Sequence, residues 1–190
     1  PFIPAELVFG ALGTFFARTL DVDLPTTVDC MVKAHQHKGA SVIECLVNCV
    51  IFNNGTHSWI SDRETRADHS ILLEHGKPMV FGKNRDHGLI LDGWNIKAVT
   101  IGENGITMDD ILVHDASTPD PTLHLKLALM GQPTEAGEQP DDLPIALGVI
   151  RDVTEQTYDA AVNEQIAAVQ SNAKIHTFDE LTTTLEQWDM

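Results

Sequence analysis

The sequence predicts an α/β chain, and three observations predict it. First, a short strand candidate at Thr14–Thr19 is followed by a helix pattern at Leu24–His37 and a β-prone run at Ser41–Cys49. Strand, loop, helix and strand at this spacing make a parallel βαβ unit. Second, Gly88–Leu91 and Ile96–Ile101 flank Asp92-Gly93, the pattern of a hairpin. Third, the composition is that of a globular protein, 43% hydrophobic and 21% charged. Aromatic residues make up only 6%, so Leu, Val, Ile and Ala must fill the core.

Taken in order, Ile3–Leu12 is apolar, with Pro4 in a tolerated first-turn position and Gly13 as its stop, and reads as a helix. Thr14–Thr19 is the first strand and Asp21–Asp23 a loop. In Leu24–His37, Pro25 sits in the first turn, Val28, Met31, Val32 and Ala34 supply apolar positions, and Lys38-Gly39 follows the end. Ser41–Cys49 is continuously β-prone, the pattern of a strand buried on both faces, and it would deliver Asn48 and Cys49 at its far end. Open α/β sheets place their chemistry there.

Beyond it, Asn53-Asn54-Gly55 is a turn signal and residues 56–87 are polar. They hold a short helix candidate at Asp62–Glu74 and a break at Gly76-Lys77-Pro78. Asp110–His114 is a short apolar run, Pro121–Met130 a helix, Gln132–Leu143 an exposed loop, and Pro144–Val153 a strand. Tyr158–Gln170 and Phe178–Trp188 are the last helices.

The net charge of −16 is uneven: residues 1–95 carry 11 acids against 8 Lys/Arg, and residues 96–190 carry 17 against 4. Such a field repels a nucleic-acid duplex or an anionic membrane, so neither is expected as a partner. No apolar run approaches the ~20 residues of a membrane helix. The apolar start lacks the basic region of a signal peptide, and a cytoplasmic location is expected.

The three cysteines, Cys30, Cys45 and Cys49, make an odd number and do not suggest a disulfide framework. Four residues of strand span roughly 13 Å, so Cys45 and Cys49 cannot share one metal unless the strand breaks between them. Cys30 and Cys45 are read as core thiols. Cys49, ending the strand, is open between a buried thiol and a ligand. Nine histidines contain no His-Glu-x-x-His, and His35 and His37 point to different sides of a helix. His75 is read as a loop residue, and Arg18 as a surface or ion-paired strand end rather than a phosphate ligand. There is no Gly-rich phosphate loop and no Gly-x-Ser-x-Gly elbow.

Several blocks in order carry a resemblance: Pro1-Phe2-Ile3-Pro4, Phe15-Phe16-Ala17-Arg18-Thr19, Ala34-His35-Gln36-His37-Lys38-Gly39 and Asn48-Cys49-Val50-Ile51-Phe52-Asn53. Leu73-Glu74-His75-Gly76-Lys77-Pro78 with Phe81-Gly82, and Leu112-Val113-His114-Asp115, continue it. The chain resembles the C-terminal part of the beta subunit of the 2-oxoacid:ferredoxin oxidoreductases, closest to the 2-oxoglutarate type. The resemblance weakens after about residue 155 and implies a family that decarboxylates a 2-oxoacid on thiamine diphosphate with Mg²⁺. Electrons pass through a 4Fe–4S cluster to ferredoxin, and coenzyme A takes the acyl group.

On this resemblance Cys49 is one of the four thiolate ligands of that cluster, and its neighbour Asn48 is a cofactor-binding candidate. The other three ligands, and the Gly-Asp-Gly-Asp segment with its following Asn that holds Mg²⁺ and diphosphate, are absent from these 190 residues. No catalytic residue is expected here, and the chain alone should hold no cofactor and be inactive. The opening Pro-Phe-Ile-Pro, with the first Met at position 31, leads us to expect the C-terminal part of a longer polypeptide.

Residues 1–52 would complete a thiamine-diphosphate-binding parallel sheet domain. Residues 53–155 would form a strand-rich extension packed against an alpha (or alpha–gamma) subunit, and residues 156–190 a helical tail. The alternatives are a non-catalytic subunit-interaction scaffold, or the pyruvate or branched-chain member of the same family.

Overall fold

The computed structural model describes residues 3–52, 54–131 and 143–184. Two compact units result, Pro1–Thr154 and Glu155–Met190. The first begins with α1 (Pro4–Gly10), β1 (Phe15–Leu20), α2 (Leu24–Gln36) and β2 (Ser41–Leu46). There follow α3 (Ser58–Ser61), α4 (Arg66–His69), β3 (Ser70–Leu73) and β4 (Val80–Phe81). Then come β5 (His87–Asp92), β6 (Asn95–Thr100), a 3₁₀ turn at Met108–Asp110, α5 (Thr122–Leu129) and β7 (Ile145–Asp152). The second unit holds α6 (Tyr158–Ser171) and α7 (Phe178–Thr184). The expected loop at Gln132–Leu143 falls almost wholly outside the described residues, as do the last residues of the Phe178–Trp188 helix.

The architecture is mixed α/β. A four-stranded sheet runs β2-β1-β7-β3, and a three-stranded sheet runs β4-β5-β6. β1 and β2 pair in parallel, from Phe15 with Ser41 to Leu20 with Leu46, so the βαβ unit forms as the sequence predicts. β7 enters antiparallel beside β1, and β3 pairs with β7 in parallel. Strands from both sides of residue 53 therefore share one sheet. The hairpin also forms: β5 and β6 pair from His87–Thr100 to Asp92–Asn95, across a two-residue Gly93-Trp94 turn.

Local chemistry explains the boundaries. Asp23 caps α2, accepting from the Thr26 amide at 3.4 Å and from the Thr26 hydroxyl at 2.9 Å. The end of α1 is closed by Gly13, whose amide donates to Val8 O at 2.8 Å. A Cβ on Gly13 would lie 2.4 Å from Val8 Cγ1, so this approach requires glycine.

β1 is buried along its whole length. Phe16 belongs to the main core with Phe9, Ile71, Leu89, Leu127 and Ile150, while Phe15 and Ala17 pack with Cys30 under α2. Each such large apolar side chain contributes about 1.5–3 kcal/mol on burial.

Five expectations are corrected. The single helix over Asp62–Glu74 does not form. Asp62 Oδ1 takes the Glu64 amide at 2.9 Å, and the Ser70 hydroxyl donates back to Arg66 O at 2.8 Å. These side-chain bonds favour separate single turns, and Ile71–Leu73 pair with β7 instead.

β2 stops at Leu46, so Cys49 lies in a loop beyond the strand rather than ending it. β2 is also the edge of the sheet and half exposed, not buried on both faces. Cys45 is accordingly exposed rather than a core thiol. Arg18 is ion-paired, as one of the two expected alternatives has it, but inside β1 rather than at a strand end or on the surface. It is fully buried within β1, and its Nε donates to Glu44 Oε2 at 2.6 Å.

Candidate functional site

The site candidate is the loop that follows β2. Its root is fixed from three sides. The Asp21 amide extends the β1–β2 ladder by donating to Leu46 O at 3.1 Å, and Asp21 Oδ2 then accepts the Asn48 amide at 3.3 Å. The carboxamide of Asn48 closes the loop. Its Nδ2 donates to Asn54 Oδ1 at 3.0 Å, and its Oδ1 accepts the Gly55 amide at 2.8 Å. Beneath, α3 places Ile60 in an apolar cluster with Leu20, Ile145 and Leu147.

Cys49 lies just inside this closure and is exposed. Around it Val47, Val50, Ile51 and Phe52 are 56%, 71%, 81% and 90% exposed. A run of apolar side chains this open marks a surface that something covers. An accessible thiol on a fixed loop can serve as a thiolate ligand for iron. One thiol cannot hold a cluster, and among the described residues no group of three or more His, Cys, Asp or Glu is placed to hold a metal ion.

The structure thus brings Asn48 and Cys49 together and gives them different work. Both ends of the Asn48 carboxamide are engaged within the loop, so it positions the segment that carries Cys49. Cys30 is buried as expected, and burial pushes its thiol up to about 11. Arg18 is committed to Glu44 and to Ala128 O at 2.8 Å, which leaves it no role as a phosphate ligand. Burial lowers its pKa and the Glu44 carboxylate acts in the opposite direction. His75 is exposed in a loop, its Nδ1 accepting the Ala116 amide at 3.2 Å.

Two polar clusters escaped the sequence reading. At the opposite end of β2 from Cys49, His37 is held between Thr14 Oγ1 at 2.9 Å and Asp152 Oδ1 at 2.8 Å. This ties the end of α2 to β7. Gly39, at φ 137°, lies against His37 and Thr14, and a Cβ there would sit 3.1 Å from His37 Nε2 and 3.2 Å from Thr14 Oγ1. The other cluster centres on Arg151, which donates to Gly13 O, Thr118 O, Pro119 O and His124 Nδ1 at 3.0–3.1 Å. Beside it, His114 Nε2 donates to Val149 O at 3.0 Å. The partners are far apart in sequence, so no local pattern announces either cluster.

Fold and site together define a mixed α/β chain whose parallel βαβ unit leads into a cysteine-bearing loop. Over 173 residues, 91% of its length, the chain is 32% identical to the 2-oxoglutarate oxidoreductase subunit KorB of Mycobacterium tuberculosis. It spans 44% of that protein's length and matches its C-terminal part. No protein-family model matches the chain, and no solved structure does. The chain is a homologue of the beta subunit of a 2-oxoglutarate oxidoreductase, as the sequence blocks suggested. No helix among the described residues is long and apolar enough to cross a membrane.

Proposed function

We propose that the chain acts as part of the beta subunit of a 2-oxoacid:ferredoxin oxidoreductase, with 2-oxoglutarate as the acid, and that Cys49 ligates its 4Fe–4S cluster. The observation that carries this reading is the loop itself: an accessible thiol held in place by Asn48, within an apolar collar, in a homologue of KorB. The residues fit the role of one ligand. The thiol is reachable, its loop is anchored at both ends, and the collar would exclude water once covered. When bound, the cluster supplies single-electron transfer toward ferredoxin.

Asn48 and Asp21 fix the loop, and Val50, Ile51 and Phe52 supply the surface that closes over the centre. The remaining cluster ligands, and the groups that hold thiamine diphosphate and Mg²⁺, fall to residues outside these 190, because no Gly-Asp-Gly-Asp segment is present. Coenzyme A and the 2-oxoacid are the substrates in this reading. Leu24, Val28, Met31 and Val32 of α2 are also exposed, although their apolar spacing would suit a core. We assign this face, with the open edge of β2, to the rest of the sheet domain, and the complete enzyme to a complex with an alpha subunit.

The test is the iron content and low-temperature electron paramagnetic resonance of the assembled complex, wild type against Cys49→Ser. Loss of the cluster signal, with subunit assembly retained, is expected. An unchanged signal overturns the ligand assignment. Turnover with 2-oxoglutarate, pyruvate and branched 2-oxoacids separates the members of the family. A complex free of iron altogether would favour the scaffold reading.

A further inference from the structure

Two asparagines of the chain, Asn54 and Asn104, precede glycine. An Asn-Gly pair is prone to spontaneous deamidation, because glycine puts no side chain in the way of its own amide nitrogen. That nitrogen bonds to the asparagine carboxamide carbon, the carboxamide nitrogen leaves as ammonia with the glycine amide proton, and a succinimide ring remains. Water then opens the ring at one of its two carbonyls, giving aspartate or isoaspartate. The reaction consumes water and needs no oxidant, reductant or cofactor. It does require a carboxamide and a glycine amide that are free to meet.

The two pairs match in sequence and in their glycines, and differ in bonding. Gly55 and Gly105 stand at φ 82° and 81°, and a Cβ on either would meet nothing within 4 Å. All four residues are exposed. In the first pair both reacting groups are held by Asn48: its Oδ1 accepts the Gly55 amide at 2.8 Å, and its Nδ2 donates to Asn54 Oδ1 at 3.0 Å. The Gly55 nitrogen cannot attack without giving up the first bond, and Asn54 cannot turn its carboxamide without giving up the second. In the other pair, neither the Asn104 carboxamide nor the Gly105 amide has a hydrogen-bond partner among the described residues. They are the central residues of a turn in which the Ile106 amide donates to Glu103 O at 2.9 Å. Asn104 at φ 51° and Gly105 at φ 81° have the two positive φ angles of a type I′ turn. Ring closure there has only this exposed turn to open, which costs little.

We propose that Asn104 is a site of spontaneous deamidation and that Asn48 protects Asn54 from the same reaction. At Asn104 the products place a carboxylate beside Glu103, and isoaspartate also adds a methylene to the main chain of the turn. The β5–β6 ladder ends at Thr100, so the change falls outside it. At Asn54 the same change would lengthen the loop that carries Cys49 and remove the carboxamide that Asn48 holds. One side chain thus shapes that loop and preserves its covalent structure. The inference rests on the loop geometry alone and stands independently of the cluster assignment.

Peptide mapping by liquid chromatography and mass spectrometry tests it, on the full chain aged under native conditions at mildly alkaline pH. Deamidation at Asn104 is expected to run at least about tenfold faster than at Asn54, the factor that two retained hydrogen bonds supply. In guanidinium chloride the two rates should agree within about twofold, because neither pair then keeps its native partners. Asn48→Ala should raise the native rate at Asn54 about tenfold and leave that at Asn104 within about twofold of wild type. A cooperative thermal transition shows that the variant is folded, and the native-against-denatured comparison of the wild type decides without it. Equal rates at the two sites in the native chain overturn the proposal. So does a rate ratio that persists in denaturant, since the sequence and not the fold would then set it. A folded Asn48→Ala chain in which Asn54 reacts as slowly as in wild type removes Asn48 as the protecting residue.

Discussion

Asn48 and Gly55 close the loop that carries Cys49: the Gly55 amide donates to Asn48 Oδ1 at 2.8 Å. The same carboxamide reaches Asn54 through Nδ2, so one side chain holds both ends of the segment. Asn48→Ala removes both bonds. The expected cost to global stability is only about 1 kcal/mol, because the groups are exposed and water replaces the partner. The local effect should be larger. Amide exchange at Gly55 should accelerate well beyond that of β1, as read by hydrogen–deuterium exchange. Gly55 protection equal to wild type would show that the loop is held by other means.

The buried ion pair of Arg18 and Glu44 makes a different prediction. The two residues stand opposite each other across β1 and β2, and the Arg18 side chain is wholly inaccessible. Glu44→Ala leaves a desolvated guanidinium with only carbonyl partners, at an expected cost of about 3 kcal/mol or more. Replacing both residues, Arg18→Met with Glu44→Leu, should recover most of that loss. Urea unfolding of the three chains checks this. A Glu44→Ala chain as stable as wild type would mean that the pair is not buried in solution.

His114 and His124 predict a loss of stability on acidification. Both pKa values are lowered from 6.5, chiefly because burial disfavours the charged ring. The bonds from Nε2 to Val149 O and Asp115 O act in the opposite direction, but the other ring nitrogen of each has no acceptor for a second proton. His114 Nδ1 is buried without a hydrogen-bond partner among the described residues, and His124 Nδ1 already accepts from Arg151 at 3.0 Å. A proton on either Nδ1 would have no acceptor. The unfolded chain takes up protons as pH falls below 6.5 and these folded rings do not. Their stabilisation is therefore complete above that pH and is lost as pH falls toward the folded pKa. Each contributes a slope of about 1.4 kcal/mol per pH unit there. Urea midpoints between pH 7.5 and 5.5 should fall less for His114→Gln than for wild type, and equal slopes would refute the assignment.

Thiol labelling separates the three cysteines. Cys30 is buried and its thiol is pushed up to about 11, so almost none is thiolate near neutral pH. Iodoacetamide should modify Cys45 and Cys49 and spare Cys30 until denaturant is added. Labelling of Cys30 at the rate of the other two under native conditions would contradict its burial.

The sequence by itself determined the βαβ unit, the β5–β6 hairpin, the terminal helices and the resemblance to a 2-oxoacid oxidoreductase beta subunit. These rest on interactions between near neighbours: apolar periodicity, the Asp23 cap, the Gly93-Trp94 turn after Asp92 and ordered blocks of residues. Three-dimensional pairing decided the rest. β7 is inserted between β1, 130–137 residues away in sequence, and β3, 75 residues away, pairings that no local spacing encodes.

Cys45 and Cys49 share a β-prone run, but the strand ends at Leu46 and lies on an edge, so both thiols are exposed. Arg18 reads as an ordinary strand cation until Glu44 is brought opposite it. Asn54 and Asn104 both precede glycine, and only the fold ties the first of them to Asn48. Local propensity chooses elements, but which side chains meet is set by the packing that buries the most apolar surface while leaving no buried charge unpaired.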